Sequence, residues 1–138
     1  MDKTLQYLAL ARKAGTAELG EEPAGAAARA GKAHILLVAG DASDHTWRRA
    51  KSFAAGTTQQ CVRLPHSKDE MGIATGRSAL AIAAITDVAL ALALVKSLPD
   101  VTGLQDVIAV LEEKVQRQKK RQKEAQAHKK NVRVGKKK

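Results

Sequence analysis

The chain has 138 residues, 44% of them hydrophobic, and its 24 Lys or Arg against 14 Asp or Glu leave a net charge of +10. That length holds one domain of about 100 residues plus an extension, and a lone cysteine, Cys61, excludes an internal disulfide. The charge is lopsided: Lys114 to Lys138 carry 12 Lys or Arg and one acid, Glu124, for a net of +11, so residues 1–113 sum to −1.

Leu5, Leu8 and Ala9 recur at helical spacing, and Lys13-Ala14-Gly15 is a stop signal, which predicts a first helix over Asp2–Ala14. Asp2, Lys3, Arg12 and Lys13 interrupt this segment, so no secretory signal is read and a reducing cytoplasm is the expected location. Thr16–Leu19 is a short extended piece. Gly20-Glu21-Glu22-Pro23 opens a second helix that runs to Gly31. Acids suit the positive end of a helix dipole, and proline suits a first turn. His34–Ala39 is a buried strand. Ser43 or Asp44 caps a third helix that ends at Gly56. Gln60–Leu64 is a strand stopped by Pro65. Ser67 starts a short helix through Met71, and Gly72-Ile73-Ala74-Thr75-Gly76 reads as a turn.

Ala79 to Leu98 is almost wholly apolar, but Thr86-Asp87 interrupts it, and an aspartate in mid-bilayer is costly. The stretch splits instead into a strand, Ala79–Ile85, and a helix, Val88–Leu98, capped by Asp87. Pro99-Asp100 closes the domain, residues 1–99. In the extension, residues 100–138, Leu104, Val107, Ile108, Leu111 and Val115 form an amphipathic stripe expected to lie on the body. After Val115 only charge, Gln and Ala continue. That segment is expected to be a lone polar helix at most, frayed or disordered until it meets a polyanion.

The alternation of helices and strands implies an α/β domain with helices on both faces of a small sheet. Aromatics are limited to Tyr7, Trp47 and Phe53, so the core is built from Ala, Leu, Ile and Val. No glycine-rich phosphate loop occurs, and no Ser/His/Asp or Cys/His set stands out. Cys61 lies in the run Gln60-Cys61-Val62 and reads as a buried strand thiol rather than a nucleophile. His34, His45, His66 and His128 show no metal-ligand spacing. No catalytic residue, metal or cofactor is therefore expected. Glu21 and Glu22 read first as a solvated, dipole-favoured cap.

Three stretches together carry a resemblance. They are Gly20-Glu21-Glu22 at a helix start, the run from Gly31-Lys32-Ala33-His34 through Val38-Ala39-Gly40-Asp41-Ala42-Ser43, and Met71-Gly72-Ile73-Ala74-Thr75-Gly76 before a last strand. Over residues 4–98 the chain resembles the kink-turn RNA-binding ribosomal proteins of the large-subunit seven-Ae and thirty-e type, and among them the small bacterial stand-alone branch. The resemblance implies a three-layer α-β-α sandwich around a four-stranded mixed sheet, here with a basic helical or disordered C-terminal extension. It also implies RNA binding at one edge of that sandwich. The family pattern Gly-x-Asn-Glu-x-x-Lys falls on Gly20, Glu22, Pro23 and Ala26, so the glycine alone is kept. The second RNA-facing loop matches Gly76-Arg77-Ser78, where a glycine permits close backbone approach and Arg77 can reach phosphate or base.

These readings point to an RNA-binding, non-enzymatic protein of ribosomal type with a role in translation. Gly20, Glu21, Glu22, Gly76, Arg77 and Ser78 would face structured RNA, which the resemblance makes ribosomal RNA first of all. Lys119, Lys120, Arg121, Lys123, Lys129, Lys130 and Arg133 would hold phosphates, because counterion release from a phosphate backbone favours cationic arms of any sequence. The ribosome is a possible assembly partner, no membrane is expected, and a monomer is favoured. The alternative is a protein-interaction module of the same fold, which has lost kink-turn reading and is tethered to RNA or nucleoid by its tail.

Overall fold

A computed structural model describes the backbone of residues 1–136 and the side chains of residues 1–128. In chain order the elements are α1 (Lys3–Lys13), β1 (Ala17–Leu19), α2 (Glu21–Arg29), β2 (Ile35–Val38), α3 (Asp44–Ala54), β3 (Gln60–Arg63), α4 (Lys68–Ala74), β4 (Ile82–Ile85), α5 (Val88–Lys96) and α6 (Gln105–Lys136). Small polar side chains start the helices by accepting the first free N–H groups. Asp2 accepts from Leu5 N at 2.9 Å, Ser43 from Thr46 N at 3.1 Å, and Asp87 from Ala89 N at 3.0 Å. Ser67 and Glu70 form a reciprocal capping box, each accepting from the other's backbone at 3.0 Å.

The four strands form one mixed sheet in the order β1-β4-β2-β3. β4 runs antiparallel to both β1 and β2, and β2 runs parallel to β3. β2 and β4 are buried along their whole length, as central strands covered on both faces must be. α2 and α3 pack together against one face, and α1, α4 and α5 group on the other. The result is an α-β-α sandwich whose core is Ala, Leu, Ile and Val with Met71. Buried His66 donates from Nε2 to Asp2 Oδ2 at 2.6 Å, tying the start of α1 to the loop after β3. That hydrogen bond holds the Asp2 carboxyl below its ordinary pKa.

Two expectations need correction. The stretch from Gly72 to Ala74 is helical rather than a turn. Gly72 stands there because a β-carbon would come within 2.8 Å of the Ala79 backbone and 2.9 Å of Arg77 O. It is therefore a packing glycine that lets the next loop fold back onto α4. The second correction concerns the extension, which is one helix through Lys136 rather than fraying after Val115. Neither glycine nor proline occurs between positions 104 and 134, and Lys, Arg, Gln, Glu and Ala are strong helix formers. Glu113 and Arg117 add a pair one turn apart at 2.5 Å. The helix is fixed to the body by fully buried Leu111, with Leu104, Val107, Ile108 and Val115 packed around it. Lys96 of α5 also meets Glu112 at 3.0 Å. Among the described residues no helix is long and apolar enough to cross a membrane.

Candidate nucleic-acid interface

Sheet register gives the molecule two ends. Leu19, Ile82, Val38 and Arg63 lie towards one, and Ala17, Ile85, Ile35 and Gln60 towards the other. At the first end β1 passes directly into α2 through Gly20, whose φ of 100° is a conformation that side chains with a β-carbon resist. Its N–H donates to Ile82 O at 2.9 Å, which pins the turn to the start of β4. A second turn follows α4, where Gly76 has a φ of 74° and Arg77 N donates to Gly72 O at 2.8 Å.

These two turns meet. A β-carbon on Gly20 would lie 3.4 Å from Arg77 Nη1, and one on Gly76 would lie 3.6 Å from Arg12 Nη2. The structure thus brings Gly20, Gly76 and Arg77 together, with Ser78 exposed beside them, and adds Arg12 from the last turn of α1. Arg12 and Arg77 are exposed, and among the described residues neither is ion-paired. Two guanidinium groups held at bare turns can fork onto phosphate oxygens or a guanine edge. Nothing in the sequence marks Arg12 for this place; it reads as part of a helix stop, and only the packing of α1 on α4 aims it at Gly76.

Glu22 is exposed at the start of α2, whereas Glu21 is half-buried and forms an ion pair with Arg49 of α3. Glu21 is therefore a link between helices rather than a free cap. Arg49 also lies 5.4 Å over the Phe53 ring, and with Arg29 these residues line a shallow hollow beside Pro23 and Ala26. The positions where the family pattern has Asn, Glu and Lys thus open onto Arg49, which is already engaged with Glu21 and Phe53.

The other end of the sheet is crossed by α6. Half-buried Lys114 donates from Nζ to Thr58 O at 3.0 Å. Burial lowers its pKa, as does nearby Arg117. Burial also lowers the pKa of His34, with Lys114 acting in the same direction and Asp87 against it. Beyond this point Lys119, Lys120, Arg121 and Lys123 are exposed along the helix. The side chains of Lys129, Lys130 and Arg133 lie outside the described residues. Cys61 is half-buried on β3, and burial pushes its thiol up to about 11, against Lys51 and Arg63, so it stays protonated at neutral pH. No cluster of three His, Cys, Asp or Glu able to hold a metal occurs among the described residues.

No protein-family model matches the chain, and no curated protein sequence does. Solved structures share its fold. A protein of unknown function from Bacillus halodurans superposes with a TM-score of 0.61 at 19% identity, over 81% of this chain and 99% of that one. The 15.5 kD RNA-binding protein of Giardia lamblia superposes with a TM-score of 0.58 at 18% identity, over 79% of this chain and 84% of that one. At these identities the likeness establishes the sandwich fold.

Proposed function

We propose that this chain is a non-enzymatic RNA-binding protein that holds structured RNA at the end of the sheet marked by Gly20 and Gly76, and phosphates along α6. The observation that carries this reading is the convergence of Arg12 and Arg77 on two positive-φ glycines, as exposed guanidinium groups with no ion-pair partner among the described residues. A folded surface discriminates among RNAs by such placed donors, while a charged helix adds affinity without choosing sequence. The fold shared with the RNA-binding protein of Giardia lamblia supports the reading, as does the resemblance to the kink-turn ribosomal proteins. In this proposal the RNA is ribosomal, the protein works in the cytoplasm, and the ribosome is its place of assembly.

A second reading, a protein-interaction module, rests on Ile73, which is 73% exposed on α4 close to the same loop, and on the replaced pattern at Glu22, Pro23 and Ala26. Binding of the full chain to a structured RNA and to an unpaired strand of equal length separates the two. The Arg12→Gln/Arg77→Gln variant is expected to lose the preference for structured RNA and keep most of the salt dependence of the parent, which α6 carries. An unchanged preference overturns the RNA-reading role of this end and favours the interaction module.

A further inference from the structure

At the end of the sheet away from Gly20, the strands stop short of α6 and leave an open cavity of about 500 Å³. Its floor is formed where the strands end, by Thr16, His34, Thr58 and Thr86. Its roof is one face of α6, because Lys114, Arg117, Gln118 and Arg121 recur at the three- and four-residue spacing that keeps side chains in line on a helix. The stripe that is apolar through Leu111 and Val115 thus turns cationic where the helix leaves the core. Arg117 is paired with Glu113. Lys114 and Arg121 have no carboxylate partner among the described residues, and Asp87 is the one acid in the lining, its carboxylate capping α5.

We propose that this cavity is a second phosphate-binding site that takes the sugar–phosphate backbone of RNA, held between Lys114 and Arg121 above and the strand ends, with the Thr58 hydroxyl, below. The proposal rests on the RNA-binding reading and extends it to a face the resemblance does not cover. Three features support a backbone occupant. The cations supply charged donors to phosphate oxygens and Thr58 adds a hydroxyl, whereas the hydroxyls of Thr16 and Thr86 already donate to Ala11 O at 3.1 Å and Thr16 O at 3.2 Å. His34 Nδ1 is buried without a hydrogen-bond partner, so a polar atom there awaits one. The lining contains no Phe, Tyr or Trp ring on which a base could stack, and the His34 imidazole is the one ring in it: Phe53 lies under Arg49, Trp47 under Arg63 at 4.9 Å, and Tyr7 packs on the core. A free nucleotide would leave its base without a platform, whereas a polymer needs the phosphates alone to be held.

The strand rise places the two ends of the sheet about 20 Å apart, over the six steps from His34 to Gly40. The ends face in opposite directions, so a straight duplex at one cannot reach the other. The protein would then grip two segments of one folded RNA, or two RNAs, with its body between them.

The test uses the full chain, a structured RNA, a short oligouridylate, inorganic phosphate and uridine monophosphate. The backbone amides of Thr16, Thr58 and Thr86 are expected to shift on adding the oligouridylate, in the parent and equally in Arg12→Gln/Arg77→Gln. Lys114→Gln/Arg121→Gln is expected to abolish those shifts and to make the log–log salt slope with structured RNA shallower by about 1.5, since each phosphate contact contributes about 0.7 to 0.9. Lys114→Arg/Arg121→Lys keeps the charge and is expected to keep both readouts, which excludes a merely structural effect. RNA binding with unmoved cavity amides overturns the cavity site alone. Absence of RNA binding by the parent overturns the proposed function together with this site. Equal shifts from inorganic phosphate or uridine monophosphate at matched phosphate concentration overturn the assignment to a polymer backbone.

Discussion

The two ends of the sheet handle positive charge in opposite ways. At the Gly20 end, cations are few and each is placed by a tight turn or by helix packing: Arg77 against Gly20, Arg12 against Gly76. At the Thr86 end they come from a continuous helix that leaves the body after Val115 and carries its charge outward. Placed donors at fixed turns suit discrimination, because a ligand must present its acceptors in matching positions. A row of cations on a helix suits affinity, because phosphates occur at regular intervals along any nucleic acid. In the proposed function, one end chooses an RNA and the other holds it.

Deleting residues 119–138 should weaken RNA binding more than any other change. It removes ten Lys or Arg and one acid and, among the described residues, no side chain of the core. If about six of those cations meet phosphates, the log–log salt slope of about −5 should fall to about −2 or shallower, and affinity at low salt should drop at least ~100-fold. The preference for structured RNA should survive, measured as a ratio of dissociation constants. The thermal midpoint should move by no more than about 3 °C, because exposed side chains contribute little to stability. A steep slope that persists would place the electrostatic contact on the body.

Leu111→Ala acts on the joint between the two parts. Leu111 is the one fully buried side chain of α6 among the described residues, so its truncation should cost about 3 kcal/mol of unfolding free energy. Denaturant unfolding measures this directly. A cost below about 1 kcal/mol would mean that the helix is laid on the body loosely, and that the cavity beneath Lys114 is not held at a fixed width.

How the two ends were foreshadowed in the sequence also differs. The turns of the Gly20 end were legible because turns announce themselves locally, a glycine before two acids and a proline and a glycine before Arg77, while their place on one edge was implied by the resemblance alone. The caps at Ser43, Ser67 and Asp87 were readable for the same reason, since each acts within four residues of itself. Gly72 misleads by that very logic. Its role is set by Ala79 across a loop, and spacing carries no trace of that contact. Arg12 was invisible because its partner is sixty-four positions away, at Gly76. At the Thr86 end the threonines come from three separate strand ends, so only the sheet register unites them under Lys114. The helical continuation of the arm follows from propensity, which a reading of its charge alone underweights.

Restoring the family pattern sharpens what the Gly20 end does. Glu22, Pro23 and Ala26 are all exposed on α2, so Glu22→Asn, Pro23→Glu and Ala26→Lys together should fit without repacking. The change exchanges the carboxylate at position 22 for one at position 23 and adds a lysine within reach of phosphate, a net gain of one positive charge. One net charge-assisted contact is worth about 1.5 kcal/mol, or roughly tenfold in affinity for a standard kink-turn. Pro23→Glu also returns a backbone N–H to the first turn, so helix content is compared alongside by circular dichroism. No gain with the fold intact would separate this end from kink-turn reading and favour the interaction module.

The smallest effect distinguishes the Thr86 end by pH. Burial and Lys114 hold His34 below its ordinary pKa of 6.5, against the opposing charge of Asp87. The unfolded chain therefore takes up a proton at this position at a higher pH than the folded one. By linkage, the contribution of neutral His34 to stability is complete above about pH 6.5 and is lost as pH falls from there through the folded value. Lys114→Gln removes the second of the two influences that lower it. The His34 pKa should then rise towards 6.5, followed by NMR of the imidazole, and the loss of stability between pH 7 and pH 5 should become shallower than in the parent. An unmoved His34 pKa would show that Lys114 does not stand over the strand ends, and the cavity would lose its roof. A rise confined to Lys114→Gln, and absent from Arg77→Gln, would show that the two ends are electrostatically independent.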